Sequence, residues 1–133
     1  MALSVADQLE IQQVIALHGH LSDTGAFDRF DEVFTEDVGY DLSAFGSGVV
    51  HGIGTLRDMA VALGDRNPLG HHVTNTIITD GADVEAKALS KGLAVNTDGT
   101  TASVTYQDVL RRTPAGWRIV HRRITPRRTP LSP

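Results

Sequence analysis

The sequence predicts an α+β domain, with helices laid against one face of a curved antiparallel sheet. Three observations carry this. Apolar residues recur at helical spacing through the first half of the chain and at alternating spacing from residue 70 onward. The stretches "TDGAD", "NTDGT" and "TPAG" cut the second half into four strand-length runs. The 133 residues suffice for one domain, 1–133, and are too few for two ordinary ones.

The elements follow in order. "SVADQLEIQQVIALHGHLSD" reads as a helix, with Ser4 suited to the N-cap, Asp7 three residues on, and Thr24-Gly25 at its end. Val5, Leu9, Val14, Ile15, Leu17 and Leu21 form its apolar stripe. A second helix is predicted in "AFDRFDEVFTED", where Phe27, Phe30, Val33 and Phe34 recur with acids on the other face. "VGYDLSAFGSGVVHG" reads as a short strand and a glycine-rich loop. A third helix, "TLRDMAVALGD", turns Leu56, Met59, Ala60 and Leu63 to one side, and Asn67-Pro68 breaks the chain after it. Strands are predicted over 70–79, 83–95, 101–113 and 116–125, paired as a meander of hairpins. Residues 126–133, "PRRTPLSP", read as a loose tail.

Composition narrows the function. Hydrophobic residues make up 41%, enough for a core, and no run of 18 apolar residues predicts a membrane span. The opening "MALSVADQLEIQQ" turns polar at once and does not read as a signal peptide. Cysteine is absent, which excludes disulfides, thiolate metal sites and cysteine nucleophiles and agrees with a cytoplasmic protein. The net charge of -4 is unevenly spread: residues 1–98 hold fifteen acids and five bases, and residues 99–133 hold one acid and seven arginines. A basic end can bind nucleic acid. Here "VLRRTPAGWRIVHRRI" alternates like two paired strands whose arginines can meet the acidic helices, and aromatic residues, at 5%, are too few for base stacking. No nucleic-acid partner is therefore expected.

No P-loop, GxGxxG, HExxH or GxSxG is present, and His18 and His20, two apart on a helix, face apart. Neither a metal nor a cofactor is expected. The strand faces point instead to a pocket. In the run 83–95, Val84, Ala86, Ala88, Ser90, Gly92 and Ala94 share one face, and Glu85, Lys87 and Lys91 share the other. Small side chains opposite helices leave room for a ligand, unless the phenylalanines fill it. In the preceding strand His71, Val73, Asn75 and Ile77 share a face, and His72, Thr74, Thr76 and Ile78 the other. The threonine row suits an outer face or an interface, so His71 is expected inside, with Asn75 beside it on the pocket wall. A neutral histidine there is suited to general-base work, more so with a carboxylate on its other nitrogen. Asp23, closing a helix whose stripe must lie on the sheet, is the candidate. The alternative is an aspartate that serves only the Thr24-Gly25 turn.

"HGHLSDTGAFDRFDEVFTEDVGYDLS", "HHVTNTII" and "VTYQDVLRRTPAGWRIVHRRI" together resemble the SnoaL-like branch of the nuclear transport factor 2-like superfamily, over about residues 5–125. The resemblance implies a cone-shaped α+β barrel, three helices over a strongly bent sheet around a pocket, in chains that are often dimers or trimers; a homodimer is the expectation. In layout the chain is similar to scytalone dehydratase and hexachlorocyclohexane dehydrochlorinase, in which an Asp–His pair removes a proton next to a leaving group. By that resemblance Asp23 and His71 form the pair. Tyr106 and Arg122 hold or polarise a substrate oxygen, with Asp108 in the same motif as Tyr106. Tyr40, Leu42 and Phe45 line the pocket, whose shape depends on how the phenylalanines and Met59 pack. The second pocket histidine of scytalone dehydratase corresponds to Ala94 here, and its two tyrosines to Leu42 and Ser22. The implied activity is a cofactor-free lyase of dehydratase type, or an isomerase or cyclase, acting on a small hydrophobic, oxygenated molecule. Two other readings stay open: a ligand-binding module without chemistry, and a small structural subunit of a ring-hydroxylating oxygenase.

Overall fold

Helix α1 (Val5–Asp23) starts with the capping box that the sequence predicts: Ser4 Oγ accepts from the Asp7 N–H at 3.0 Å, and the Asp7 carboxylate accepts from the Ser4 N–H at 3.3 Å. Its buried side is Ile11, Val14, Ile15, His18, Gly19 and Leu21. Val5 and Leu9, expected on the stripe, are 73% and 58% exposed. The stripe actually runs through a histidine and a glycine, which hydropathy does not score as core. The computed structural model describes residues 2–130.

The second predicted helix is only a 3-10 segment, Phe27–Glu32. The chain then enters strand β1 (Phe34–Asp41) instead of continuing as helix. Phe34 pairs with Ile119, and the Val33 carbonyl accepts from the Ile119 N–H at 2.7 Å. This ladder to the last strand overrides a helical period that the same phenylalanines also satisfy. After a 3-10 turn at Ser43–Phe45, β2 (Val49–His51) returns antiparallel on β1, so the predicted loop is a hairpin. Helix α2 (Ile53–Leu63) follows, then β3 (Gly70–Gly81), β4 (Glu85–Val95), β5 (Thr101–Thr113) and β6 (Gly116–Arg127), close to their predicted places. Residues 126 and 127 belong to β6, so the predicted tail starts later, and residues 131–133 lie outside the described residues.

The strand order is β2-β1-β6-β5-β4-β3, antiparallel throughout except for the parallel pair β1–β6. The sheet is curled but not closed, with β2 and β3 as its edges. The predicted barrel is thus an open cone, and the helices pack into its concave side. Several C-terminal arginines meet the acidic helical half, as predicted: Arg112 lies 3.0 Å from Asp7, and Arg118 Nε donates to the Asp31 carbonyl at 2.8 Å. Among the described residues no helix is long and apolar enough to cross a membrane.

Two predicted faces need correction. Ala86, Ala88 and Ser90 do face inward, but the space above the small residues is not a ligand cavity. Tyr106 fills it at one end, so close that a Cβ on Gly92 would lie 2.6 Å from its ring. Asp108, paired across the ladder with Ala88, and Arg122 fill it next door. On β3 the alternation holds only to Thr74. Asn75 has φ 58°, a left-handed conformation that asparagine tolerates better than most residues, and the register against β4 slips there. Beyond the bulge the faces exchange: Asn75 is exposed, Ile77 is 54% exposed and Ile78 packs on the core. Asn75 is therefore not on the pocket wall.

Gly19 packs tightly against the sheet at the start of β3. A Cβ there would lie 2.8 Å from the His71 carbonyl oxygen, a backbone atom that cannot move aside cheaply. Glycine to alanine inside a helix ordinarily stabilises by about 0.5–1 kcal/mol. Gly19→Ala is expected to do the reverse and destabilise by about 1–3 kcal/mol through overpacking. Urea denaturation checks the sign.

Candidate functional site

The C-terminal end of α1 builds the site. His18 and Ser22, four residues apart, face the same way and line a cavity between α1, the 3-10 segment and α2. Asp23, the last residue of the helix, reaches the start of β3. Both of its oxygens accept from the His71 N–H at 3.0 Å, and Oδ1 lies 2.6 Å from His71 Nδ1. The backbone contact fixes the carboxylate. A carboxylate oxygen accepts, which places a proton on Nδ1; in the neutral ring the lone pair is then on Nε2. His71 lines the cavity, and His72, next along the strand, is exposed, as strand geometry requires.

The cavity has a volume of about 140 Å³. A cavity of this size takes a single six-membered ring. Phe27, Phe30 and Phe34 form one wall, with ring centroids 5.6 and 5.9 Å apart in tilted and edge-on arrangements. Leu56, Met59, Ala60 and Leu63 of α2 form the opposite wall. Arg57 ties the two walls together by donating to the Phe27 carbonyl at 2.9 Å. Asn67 sits at the edge, where its amide caps α2 through the Ala60 and Gly64 carbonyls.

Under the cavity lies a buried ion pair. Arg122 is fully buried and Asp108 is 3% exposed. Arg122 Nε and Nη2 donate to the two Asp108 oxygens at 2.7 and 2.8 Å, and Nη1 lies 3.0 Å from His18 Nδ1. Tyr106 stacks on the guanidinium, 4.2 Å from its ring centroid. All three Arg122 nitrogens are engaged, so Arg122 is not placed to clamp a substrate group. Tyr106 and Asp108 also sit below the cavity rather than on it. Of the remaining predicted positions, Tyr40 and Met59 line the cavity, whereas Leu42 and Phe45 do not. β1 ends at Asp41, and the 3-10 turn that follows carries Phe45 outward to 44% exposure, with the Arg128 guanidinium 5.9 Å from its ring.

His18 is the residue that sequence reasoning passed over. Burial, then the nearby Arg122 charge and His71, hold it well below the ordinary histidine range, so it stays neutral. A guanidinium can only donate, which makes His18 Nδ1 the acceptor. The signal was present: Ile11, Val14, Ile15 and His18 follow the i, i+3, i+4, i+7 spacing of a buried helix face. Burial also pushes the Tyr40 and Tyr106 phenols up, so both remain protonated.

Helices packed into a curled mixed sheet define the nuclear transport factor 2-like class of folds. The profile of the SnoaL-like domain family matches residues 4–123, and the chain belongs to that family. An uncharacterized protein of Mycobacterium tuberculosis is 28% identical over 124 residues, covering 89% of this chain and 84% of that one. Among solved structures, a nuclear transport factor 2-like protein with a cystatin-like fold from Novosphingobium aromaticivorans is 27% identical, with a TM-score of 0.76 over 92% of this chain and 82% of that one. A protein of the same organism assigned as a scytalone dehydratase superposes with a TM-score of 0.78 over 93% of this chain and 86% of its own, at 16% identity, which is a likeness of fold.

Two outcomes follow for stability. Arg122→Met strands a buried carboxylate and is expected to cost about 3–5 kcal/mol in urea denaturation. His18 gives a pH dependence. Its folded value is depressed, so below about pH 6.5 the unfolded chain binds a proton at His18 that the folded chain does not. Stability is therefore lost as pH falls below that point, by up to about 1.4 kcal/mol per pH unit from this group. His18→Asn retains an acceptor for Arg122 and cannot titrate. Its stability should decline less between about pH 6.5 and pH 5. An identical decline in both proteins would show that His18 is not held neutral.

Proposed function

We propose that this protein is a small acid–base enzyme that removes a proton from carbon next to a carbonyl in a hydrophobic substrate of about one ring. The observation that carries the reading is the Asp23–His71 contact: Oδ1 lies 2.6 Å from Nδ1 of a ring that lines the cavity, and Nε2 has no hydrogen-bond partner among the described residues. His71 Nε2 takes the proton, and the C–H electron pair moves into the carbon–carbonyl unit to form an enolate. Asp23 stabilises the imidazolium that results, through the Nδ1–H bond, without being protonated itself. Expulsion of a group on the next carbon completes an elimination, and return of the proton elsewhere completes an isomerisation. The chain's own residues supply the proton acceptor and its counter-charge, so the step needs no cofactor.

The apolar walls favour a hydrophobic substrate, and the lining residues include no lysine or arginine to hold an anionic one. Surrogate ketones can stand in for the natural substrate in the test. In D₂O, one-ring cyclic ketones are incubated with the protein and deuterium at the α-carbon is followed by NMR. The protein is expected to accelerate exchange of at least one such ketone, and His71→Gln to lower that rate by about 10²–10⁴ while remaining folded. Asp23→Asn should slow it as well, because the amide no longer enforces the tautomer. Exchange at the buffer rate with every ketone, or undiminished exchange in His71→Gln, would overturn the proposal.

A further inference from the structure

We propose that His18 is the second working group of this site: a neutral imidazole whose Nε2–H donates to the substrate oxygen on which charge develops as His71 takes the proton. The inference rests on the proton abstraction proposed above and adds the electrophile that it lacks.

The geometry is specific. His18 lines the cavity, and its Nδ1 is committed to Arg122 at 3.0 Å. The guanidinium donates, so the ring proton resides on Nε2. Among the described residues Nε2 has no hydrogen-bond partner, whereas the ring itself is held edge-on to Phe34 at 5.3 Å and tilted on Phe30 at 5.9 Å. The ring is thus fixed by packing on one side and by a charged donor on the other, with one polar atom left over. The His18 and His71 centroids lie 6.3 Å apart, tilted by 52°. A C–C=O unit seated between them can present its C–H to one ring and its oxygen to the other at about 3 Å each.

The chemistry fits an enolate oxygen better than a carboxylate. Arg122 is charge-compensated by Asp108 at two contacts, so no net positive charge is left over for an anionic substrate. A polarised neutral donor held by packing among apolar walls is suited to charge that appears only during reaction, since it needs no reorganisation then. Accepting from a guanidinium draws electron density toward Nδ1 and sharpens the Nε2–H as a donor. Arg122 and Asp108 act here through His18 and are positioning residues. The substrate class is therefore a neutral ketone or aldehyde with an acidic α C–H, of about one ring.

Two measurements test this, and neither depends on turnover. In the unaltered ¹⁵N-labelled protein, long-range ¹H–¹⁵N spectra should show His18 as the Nε2–H tautomer, without titration between about pH 8 and pH 5. An Nδ1–H tautomer, or a midpoint near 6.5, would overturn the assignment. The second measurement uses 4-nitrophenol, a one-ring oxygen ligand with a visible chromophore, titrated into protein carrying His71→Gln so that no base is present. Adding His18→Asn keeps an acceptor for Arg122 through Oδ1, but its shorter amide places no N–H at the Nε2 position, and should weaken binding by about tenfold or more. His18→Gln returns an N–H near the lost position and should restore part of it. Equal affinity with and without His18→Asn, or no binding of the phenol at all, would overturn the donor role. Failure of the base reading appears elsewhere, in the deuterium exchange of His71→Gln, and leaves these two measurements unchanged.

Discussion

The buried contact among Arg122, Asp108 and His18 is the constraint from which the rest of the site follows. It joins β6, β5 and α1 at the bottom of the cone. A buried ion pair adds little net stability over apolar residues of the same size, but it tolerates few arrangements of its partners. With His18 set on Arg122, the next residue, Gly19, must lie on β3, where only the absence of a side chain allows contact with the His71 carbonyl. One helical turn further, Asp23 then arrives at the His71 N–H and ring. The placement of the pair beside the cavity is thus a geometric consequence of a contact beneath the cavity.

The walls obey a second constraint, the scarcity of bulk on β4. Ala86, Ala88, Ser90 and Gly92 cannot fill the concave face themselves. Large side chains from the neighbouring strands lean over them: Tyr106 over Gly92, and Arg122 with Asp108 beside Ala88. This filling displaces the open volume toward α2 and the 3-10 segment, where three phenylalanines reduce it to the space of about one ring. Cavity size is accordingly set by Phe27, Phe30, Phe34 and the α2 side chains, and not by the small-residue strand.

What could be read from the sequence depended on how local its cause was. The four long strands were legible because period and turn chemistry are local, and both are strong in residues 70–127. The Ser4–Asp7 capping box was legible for the same reason. Residues 34–37 were not, because their phenylalanine spacing serves a helix equally well and only the distant Ile119 decides for a strand. Asn75 was misplaced by a single left-handed residue, which resets the alternation for everything after it. The inward position of His71 was legible from the strand faces, since it lies before that bulge. The engagement of Arg122 was not, because exposure and hydrogen-bond partners belong to the packed state.

The two cavity histidines show how partner choice differentiates one side chain. Each ring offers two nitrogens and lines the cavity, and in each the structure engages Nδ1 and gives Nε2 no hydrogen-bond partner among the described residues. At His71 the Nδ1 partner is a carboxylate, which accepts; the proton is on Nδ1, and in the neutral ring Nε2 is the acceptor. At His18 the partner is a guanidinium, which donates; Nδ1 is bare and Nε2 carries the proton. Opposite partners therefore make one acceptor and one donor out of identical side chains 6.3 Å apart. Exchanging these roles would require exchanging the buried charges behind them. The carboxylate sits at the end of α1 and the guanidinium in the middle of β6, so the polarity of the cavity is written into the backbone positions of Asp23 and Arg122.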